Sequence, residues 1–194
     1  MGKELSEMSL EELWELFPII LKEHNSEYKT WYIEEKEKII EAIGEDYFKR
    51  ISHIGSSAVE GLISKPTVDI LLEIDINNDI EVLISMLVGS GWALMSSATT
   101  PDFKISFCKG YTPDGFADKV FHLHVRHYGD CDELYFRDYL ILHNDIAEEY
   151  SVLKQNLLTQ YEHDRDSYTE AKTKFVKKWT SQAKKDFGSR YVVQ

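Results

Sequence analysis

The sequence predicts an α+β protein, with a mixed β-sheet flanked by helices and a C-terminal helical segment. A long amphipathic helix precedes the strands, and apolar runs with a strand-like period cluster between residues 48 and 127. From residue 130 onward the period becomes helical and stays so. Strands and helices that segregate in this way are typical of α+β folds. We expect one domain over residues 1–194, with an N-terminal helical extension (1–17), a sheet core (18–129) and a helical segment (130–194).

The elements before the sheet are predicted from their end signals. Ser9–Glu12 is a capping box that opens a short helix. The apolar residues Ile19–Leu21 are expected to form a short strand. Asn25 or Ser26 is expected to cap a long helix, whose apolar residues recur at helical spacing until Gly44 ends it.

The later elements follow from the period of their apolar residues. We expect strands near 48–54, 67–74, 91–96, 103–109 and 118–127, and helices near 78–88, 132–143, 146–161 and 168–185. A chain of this length buries enough surface to fold without a disulfide or a structural metal. Cys108 and Cys131, which match no metal or redox spacing, are therefore expected to be reduced.

The net charge of −12 is unevenly distributed. Residues 1–150 carry 13 basic and 29 acidic side chains, whereas residues 151–194 carry 9 and 5. Binding of long nucleic acid depends on Lys and Arg, so an acidic chain disfavours it but permits a small anionic ligand near the basic C-terminal segment. No targeting signal or membrane-spanning run is evident, so we expect a cytoplasmic protein with no membrane partner; the oligomeric state stays open.

The strand at 67–75 places two kinds of side chain on its two faces. One face is wholly apolar, with Val68, Ile70, Leu72 and Ile74. The other carries Asp69 and Glu73, which we take as candidate ligands of a divalent metal, with Mg²⁺ or Mn²⁺ expected before Zn²⁺. Alternatively, this face is simply the solvated side of an antiparallel sheet.

A Gly-Ser turn precedes this strand. Gly55, Ser56 and Ser57 can present backbone N–H groups and hydroxyls to a phosphate, and Lys65 adds a positive charge. A Gly-Ser followed, after twelve residues, by an acidic strand is similar to the layout of the polymerase-beta-type nucleotidyltransferase superfamily. In that superfamily the Gly-Ser holds the nucleotide phosphates and the acids hold metal.

A second constellation lies on the strand at 118–127. His122 and His124 share a face, a spacing that chelates a metal when a carboxylate completes the site. We therefore take Asp69, Glu73, His122 and His124 as candidate metal ligands, with Asp69 and His124 as candidate catalytic residues. Alternatively, one histidine packs while the other is exposed, or a histidine acts as a general base.

Four segments in order resemble the GrpB family of bacterial proteins, from about residue 18 to 179: 53–73, 122–125, 136–140 and 168–172. The resemblance implies a nucleotidyltransferase-type fold and, for most members, no established reaction. Chemistry on a nucleotide or another phosphorylated small molecule is our leading hypothesis. Lys172 matches the last motif and is predicted to contact phosphate. Arg137 is a further candidate, since it either binds phosphate or bridges carboxylates.

The strand departs from the superfamily at one position. Metal-dependent members usually carry two acids separated by one residue, but Leu71 follows Asp69 here at that spacing. Glu73 lies four residues further on, about 13 Å along the strand from Asp69. Two hypotheses follow: a metal-dependent nucleotidyltransferase with an incomplete acidic motif, or a non-catalytic module that binds a nucleotide or anion.

Overall fold

The computed structural model describes residues 3–100, 102–129 and 131–191 and has the predicted α+β class. The ends of the predicted helical segment, Asp130 and residues 192–194, lie outside the described residues. The strands are β1 (Arg50–Ile54), β2 (Val68–Ile74), β3 (Ala93–Ala98), β4 (Lys104–Thr112) and β5 (Gly115–His127). The α-helices are α1 (Leu10–Leu16), α2 (Tyr28–Ile43), α3 (Ile80–Gly89), α4 (Asp132–Leu142), α5 (Asn144–Tyr161) and α6 (Arg165–Phe187).

The five strands form one mixed sheet in the order β1-β2-β5-β4-β3. β2 and β5 are parallel, and the other neighbours are antiparallel. One face of the sheet packs against α2 and α3 in a core that includes Ile39, Leu83 and Ile70. The opposite face packs against α4, α5 and α6 in a second core around Leu71.

β2 is covered on both faces. Leu71 and Glu73 are fully buried. They lie on the face for which the sequence also allowed exposure to solvent. That interpretation is wrong because the C-terminal helices cover this face. The covered face explains why β2 carries an almost continuous apolar run, as strands buried on both faces do.

Two expectations for the N-terminal third are wrong. Ile19–Leu21 form no strand: Ile19 packs with Leu157 and Tyr168, and only Lys22 makes an isolated bridge, to Ser64. The long helix begins at Tyr28 without a side-chain cap, because Asn25 Oδ1 instead accepts from the Glu27 N–H in a local turn.

Other local signals are confirmed. The capping box at α1 is present, with Ser9 Oγ and the Glu12 carboxylate each accepting a backbone N–H. Gly44 ends α2 with a φ of 79°. Cys108 and Cys131 are free and buried. None of the described helices is both long and apolar enough to cross a membrane.

Candidate functional site

The parallel pairing of β2 with β5 assembles the central cluster. Its register sets Asp69 beside His122, with His124 one pleat further along the same face. Asp69 Oδ1 lies 3.3 Å from His122 Nδ1 and 3.5 Å from His124 Nε2. One donor atom from each residue falls within 4.8 Å of the other two, so these residues can share a metal ion.

Gly55 lets the Gly-Ser turn lie directly against this cluster. A Cβ at residue 55 would sit 2.5 Å from Asp69 Oδ2, well inside van der Waals contact. The φ of Gly55 is also +70°, a value that disfavours residues with a side chain. A glycine is thus needed here both for the backbone conformation and for the approach to the carboxylate.

His122 is oriented by hydrogen bonds at both ring nitrogens. Its Nε2 lies 2.8 Å from the Tyr111 hydroxyl, which in turn accepts from Arg165 Nη2 at 2.9 Å. The chain from Arg165 through Tyr111 therefore fixes the ring and directs Nδ1 at Asp69. Outer hydrogen bonds of this kind commonly orient metal-binding histidines.

The ionisation states of Asp69 and His122 suit the binding of a metal ion. Burial alone would raise the pKa of Asp69, but hydrogen bonds and attraction from His122 and His124 outweigh it and hold that pKa well below its usual range. Burial lowers the pKa of His122 in spite of the attraction of Asp69. At neutral pH the site therefore offers an ionised carboxylate and a neutral His122.

The cluster lies on the floor of a cleft of about 1240 Å³. The sheet and the Gly-Ser turn form one side, and α5 and α6 contribute basic side chains from the other. The cations Lys65, Lys154, Arg165 and Lys172 all line this cleft. Burial lowers the pKa of Lys65 to about 8 and those of Lys154 and Lys172 to about 7, with further lowering by neighbouring cations.

Lys154 holds the Gly-Ser turn in place. This lysine is 3% exposed, and its Nζ donates to Ser56 Oγ at 3.1 Å and to the Ile63 carbonyl. The ring of Tyr150 lies 4.6 Å from the same nitrogen. Lys154 was missed in the sequence, although a lysine on the buried face of α5, seven residues after Ala147, is a detectable signal.

Two predicted site residues have partners elsewhere. Glu73 is fully buried, accepts two hydrogen bonds from Arg50 and accepts the Gly129 N–H at 3.0 Å. Arg137 pairs with Asp138 and donates to the His53 carbonyl at 2.8 Å. The structure brings neither side chain to the cluster around Asp69.

His53, the histidine before the turn, also faces away from the cleft. Its ring stacks on Tyr32, and its Nε2 lies 3.1 Å from Ser57 Oγ. Burial is the main reason that its pKa falls to about 4. Ser57 is 2% exposed, and its hydroxyl is held by His53. The hydroxyl of Ser56 instead accepts from Lys154.

The fold and the site together define an α+β protein with a carboxylate–imidazole cluster at the base of a basic cleft. The family described as "GrpB protein" matches residues 18–182. The chain therefore belongs to the GrpB family, in agreement with the resemblance seen in the sequence.

Individual relatives agree with this assignment. The chain is 34% identical over 161 residues to the glutamate-rich protein GrpB of Alkalihalophilus pseudofirmus, covering 81% of this chain and 91% of that one. The crystal structure of conserved protein GrpB from Enterococcus faecalis shares the fold, with a TM-score of 0.74 at 24% identity over 87% of this chain and 99% of that one. The Cid1 poly(U) polymerase gives a TM-score of 0.48 at 8% identity over 78% of this chain and 46% of that one, a likeness too slight to carry an argument.

Proposed function

We propose that this protein binds a nucleotide or another small phosphorylated molecule, together with a divalent metal ion held by Asp69, His122 and His124. One observation carries the proposal: among the described residues, no carboxylate lies within 4 Å of the side-chain nitrogens of Lys65, Lys154, Arg165 or Lys172. These cations gather in one cleft of a chain whose net charge is −12. Cations that are removed from water without an anionic counter-charge are costly, and a multivalent anion would supply that charge.

The spacing of the cluster supports a metal ion rather than a hydrogen-bonded triad alone. Tetrahedral ligands at about 2.0–2.1 Å from a metal are roughly 3.3 Å from one another. The two imidazole nitrogens lie 3.3 and 3.5 Å from the Asp69 oxygen. Two imidazoles and one carboxylate suit Zn²⁺ or Mn²⁺ better than Mg²⁺, which changes the preference drawn from the sequence.

The proposed roles divide between the two sides of the cleft. Backbone N–H groups of the Gly-Ser turn and the side chains of Lys65 and Lys172 would hold the phosphates, while Arg165 reaches the cluster through Tyr111. A bound metal would neutralise charge on a phosphate oxygen. Cys108 and Cys131 are free, and we propose the cytoplasm as the location, since thiols stay reduced there.

Nucleotidyl transfer to a small acceptor is a second candidate, favoured by a carboxylate that lies directly beside a Gly-Ser turn. Leu71 and the engagement of Glu73 by Arg50 leave one carboxylate where transfer enzymes usually have two, which instead favours binding without turnover. His124 cannot act as a metal ligand and as a general base at the same time. A metal on its Nε2 would occupy the lone pair that a general base needs.

Isothermal titration calorimetry with ATP tests the binding proposal. ATP is titrated into the protein with Mn²⁺, Zn²⁺, Mg²⁺ or a chelator, for the wild type and for the double variant Lys65→Met, Lys172→Met. The double variant should weaken ATP binding by roughly 100-fold, at about tenfold for each lost charge-assisted contact. Lys174→Met, an exposed position on the same helix and outside the cleft, is the matched control and should bind like the wild type.

The same titrations separate the parts of the proposal. Equal affinity in the wild type and the double variant would refute the phosphate site. Binding that a chelator leaves unchanged would refute the metal. Release of pyrophosphate from ATP by the wild type, lost in Asp69→Asn, would support transfer, whereas tight binding without release would support the non-catalytic module.

A further inference from the structure

The N-terminal helix presents apolar side chains to the same cleft. Leu10, Leu13 and Trp14 of α1, with Phe17 just after it, line the cavity that contains Asp69. We call these four residues the apolar stripe. No residue of α1 is buried, and Leu10 is 51% exposed. Leu10, Leu13 and Trp14 therefore offer the cleft an apolar surface that the protein itself covers only in part.

The stripe is fixed at one end, close to the cluster. Phe17 is buried and packs edge-on against Tyr111, with ring centroids 4.8 Å apart. Tyr111 in turn contacts His122. Beyond Phe17, the Ile19 N–H donates to the Glu162 carbonyl at 2.8 Å, which ties this end of the segment to the α5–α6 connection.

We propose that the apolar stripe binds the base of a nucleotide whose phosphates lie at Lys65 and Lys172; this rests on the proposed function. One continuous cavity has a cationic wall and an apolar wall, so the complementary ligand has a polyanionic part and a flat apolar part. A nucleoside phosphate has both, whereas an inorganic polyphosphate or a sugar phosphate would leave the stripe in water. Stacking on an aromatic side chain such as Trp14 is a common way to hold a base.

The stripe lies before the region that matches the family. The family match begins at residue 18, so Leu10, Leu13, Trp14 and Phe17 all lie before it. The phosphate and metal residues all lie inside the match. Base recognition would thus come from a segment outside the matched region.

Titration of ATP and of inorganic tripolyphosphate into the full chain, with Mn²⁺ present, tests the inference. The wild type should bind ATP at least about tenfold more tightly than tripolyphosphate, and Trp14→Ala should remove most of that difference without weakening tripolyphosphate. Trp14→Phe should restore part of it. Leu16→Ala is the matched control, because Leu16 is an apolar residue of the same helix that does not line the cleft.

The outcomes are distinguishable. Equal affinities for ATP and tripolyphosphate in the wild type would overturn the stripe and leave the phosphate site standing. An ATP preference that survives in Trp14→Ala, or an alkyl triphosphate that binds as tightly as ATP, would also overturn it. If neither ATP nor tripolyphosphate binds, the proposed function itself fails. Circular dichroism on Trp14→Ala checks that the variant is folded.

Discussion

Asp69 and Glu73 lie on the same face of β2, yet they differ in burial and in the residues that face them. Glu73 is fully buried, faces Arg50 in the register of β1 and accepts two hydrogen bonds from it. Asp69 faces His122 in the register of β5, and a quarter of its side chain remains exposed to the cleft. The neighbouring strands, rather than the carboxylates themselves, make one a structural ion pair and the other a candidate metal ligand.

The largest effect is expected at the structural carboxylate. Glu73→Gln keeps the side-chain volume but leaves the half-buried Arg50 without its counter-charge, and should lower the free energy of unfolding by about 3 kcal/mol. Urea denaturation measures this. Asp75→Asn, which breaks the exposed pair with Lys49, should cost less than about 1 kcal/mol. Metal affinity that falls in Glu73→Gln as far as in Asp69→Asn would contradict the division of roles.

The second effect concerns the candidate ligand. Asp69→Asn removes the charged donor from the cluster and should weaken Zn²⁺ or Mn²⁺ binding by at least about 100-fold, since even indirect partners of a metal site contribute 10–100-fold. The free energy of unfolding should change less than in Glu73→Gln. Competition with a chromophoric chelator gives the metal affinity. An unchanged affinity would exclude Asp69 as a ligand.

The third variant tests the approach of the turn to Asp69. Gly55→Ala adds a Cβ at a positive φ and 2.5 Å from Asp69 Oδ2, so it should cost about 1–3 kcal/mol of stability and also displace the carboxylate. Gly61→Ala is a matched control, because its φ is +76° but nothing lies within 4 Å of the added Cβ. Both variants should lose stability, and only Gly55→Ala should lose metal affinity; equal metal affinities would refute the contact.

The last prediction is a pH dependence that arises from the lysines of the cleft. Lys154 and Lys172 have pKa values lowered to about 7, by burial first and then by nearby cations, against an ordinary value near 10.5. Between these values the unfolded chain binds more protons than the folded chain, so the free energy of unfolding should rise as pH increases from 7 towards 10. Lys65 and Arg165 oppose the charge on Lys172, while Asp69 favours it.

Ligand binding should follow pH in the opposite direction. ATP needs these lysines protonated, so its affinity should fall as pH rises above 7 while the ligand-free protein becomes more stable. Urea denaturation and calorimetry at several pH values measure the two trends. Lys172→Met should flatten both curves. Parallel trends would contradict the assignment of these lysines to the anion site.

Much of the fold was predictable because it is encoded locally. Three signals depend only on residues close together in the chain, and each is found in the structure. They are the capping box at Ser9, the glycine that ends α2 at Gly44, and the helical period after residue 130. Ile19–Leu21 were misassigned because a short apolar run does not show what it packs against. The partners of Ile19 are Leu157 and Tyr168, more than a hundred residues away in the chain.

The site was predictable only in part, for the same reason. The spacing of His122 and His124 and the alternation around Asp69 indicated which side chains share a face. Neither pattern could indicate that Arg50 lies opposite Glu73, or that Tyr111 and Arg165 support His122. These contacts depend on strand order and helix placement, which are set by long-range packing.

By itself, the sequence determined the α+β class, the membership in the GrpB family and which side chains of β2 and β5 share a face. Those follow from periodicity, from motifs and from side-chain type. The tertiary structure alone decided which of them meet. The parallel pairing of β2 with β5 joined Asp69 to the two histidines, and the packing of α5 and α6 brought Lys154, Arg165 and Lys172 over them. A side chain's partners depend on distance in space, which the order of residues does not specify.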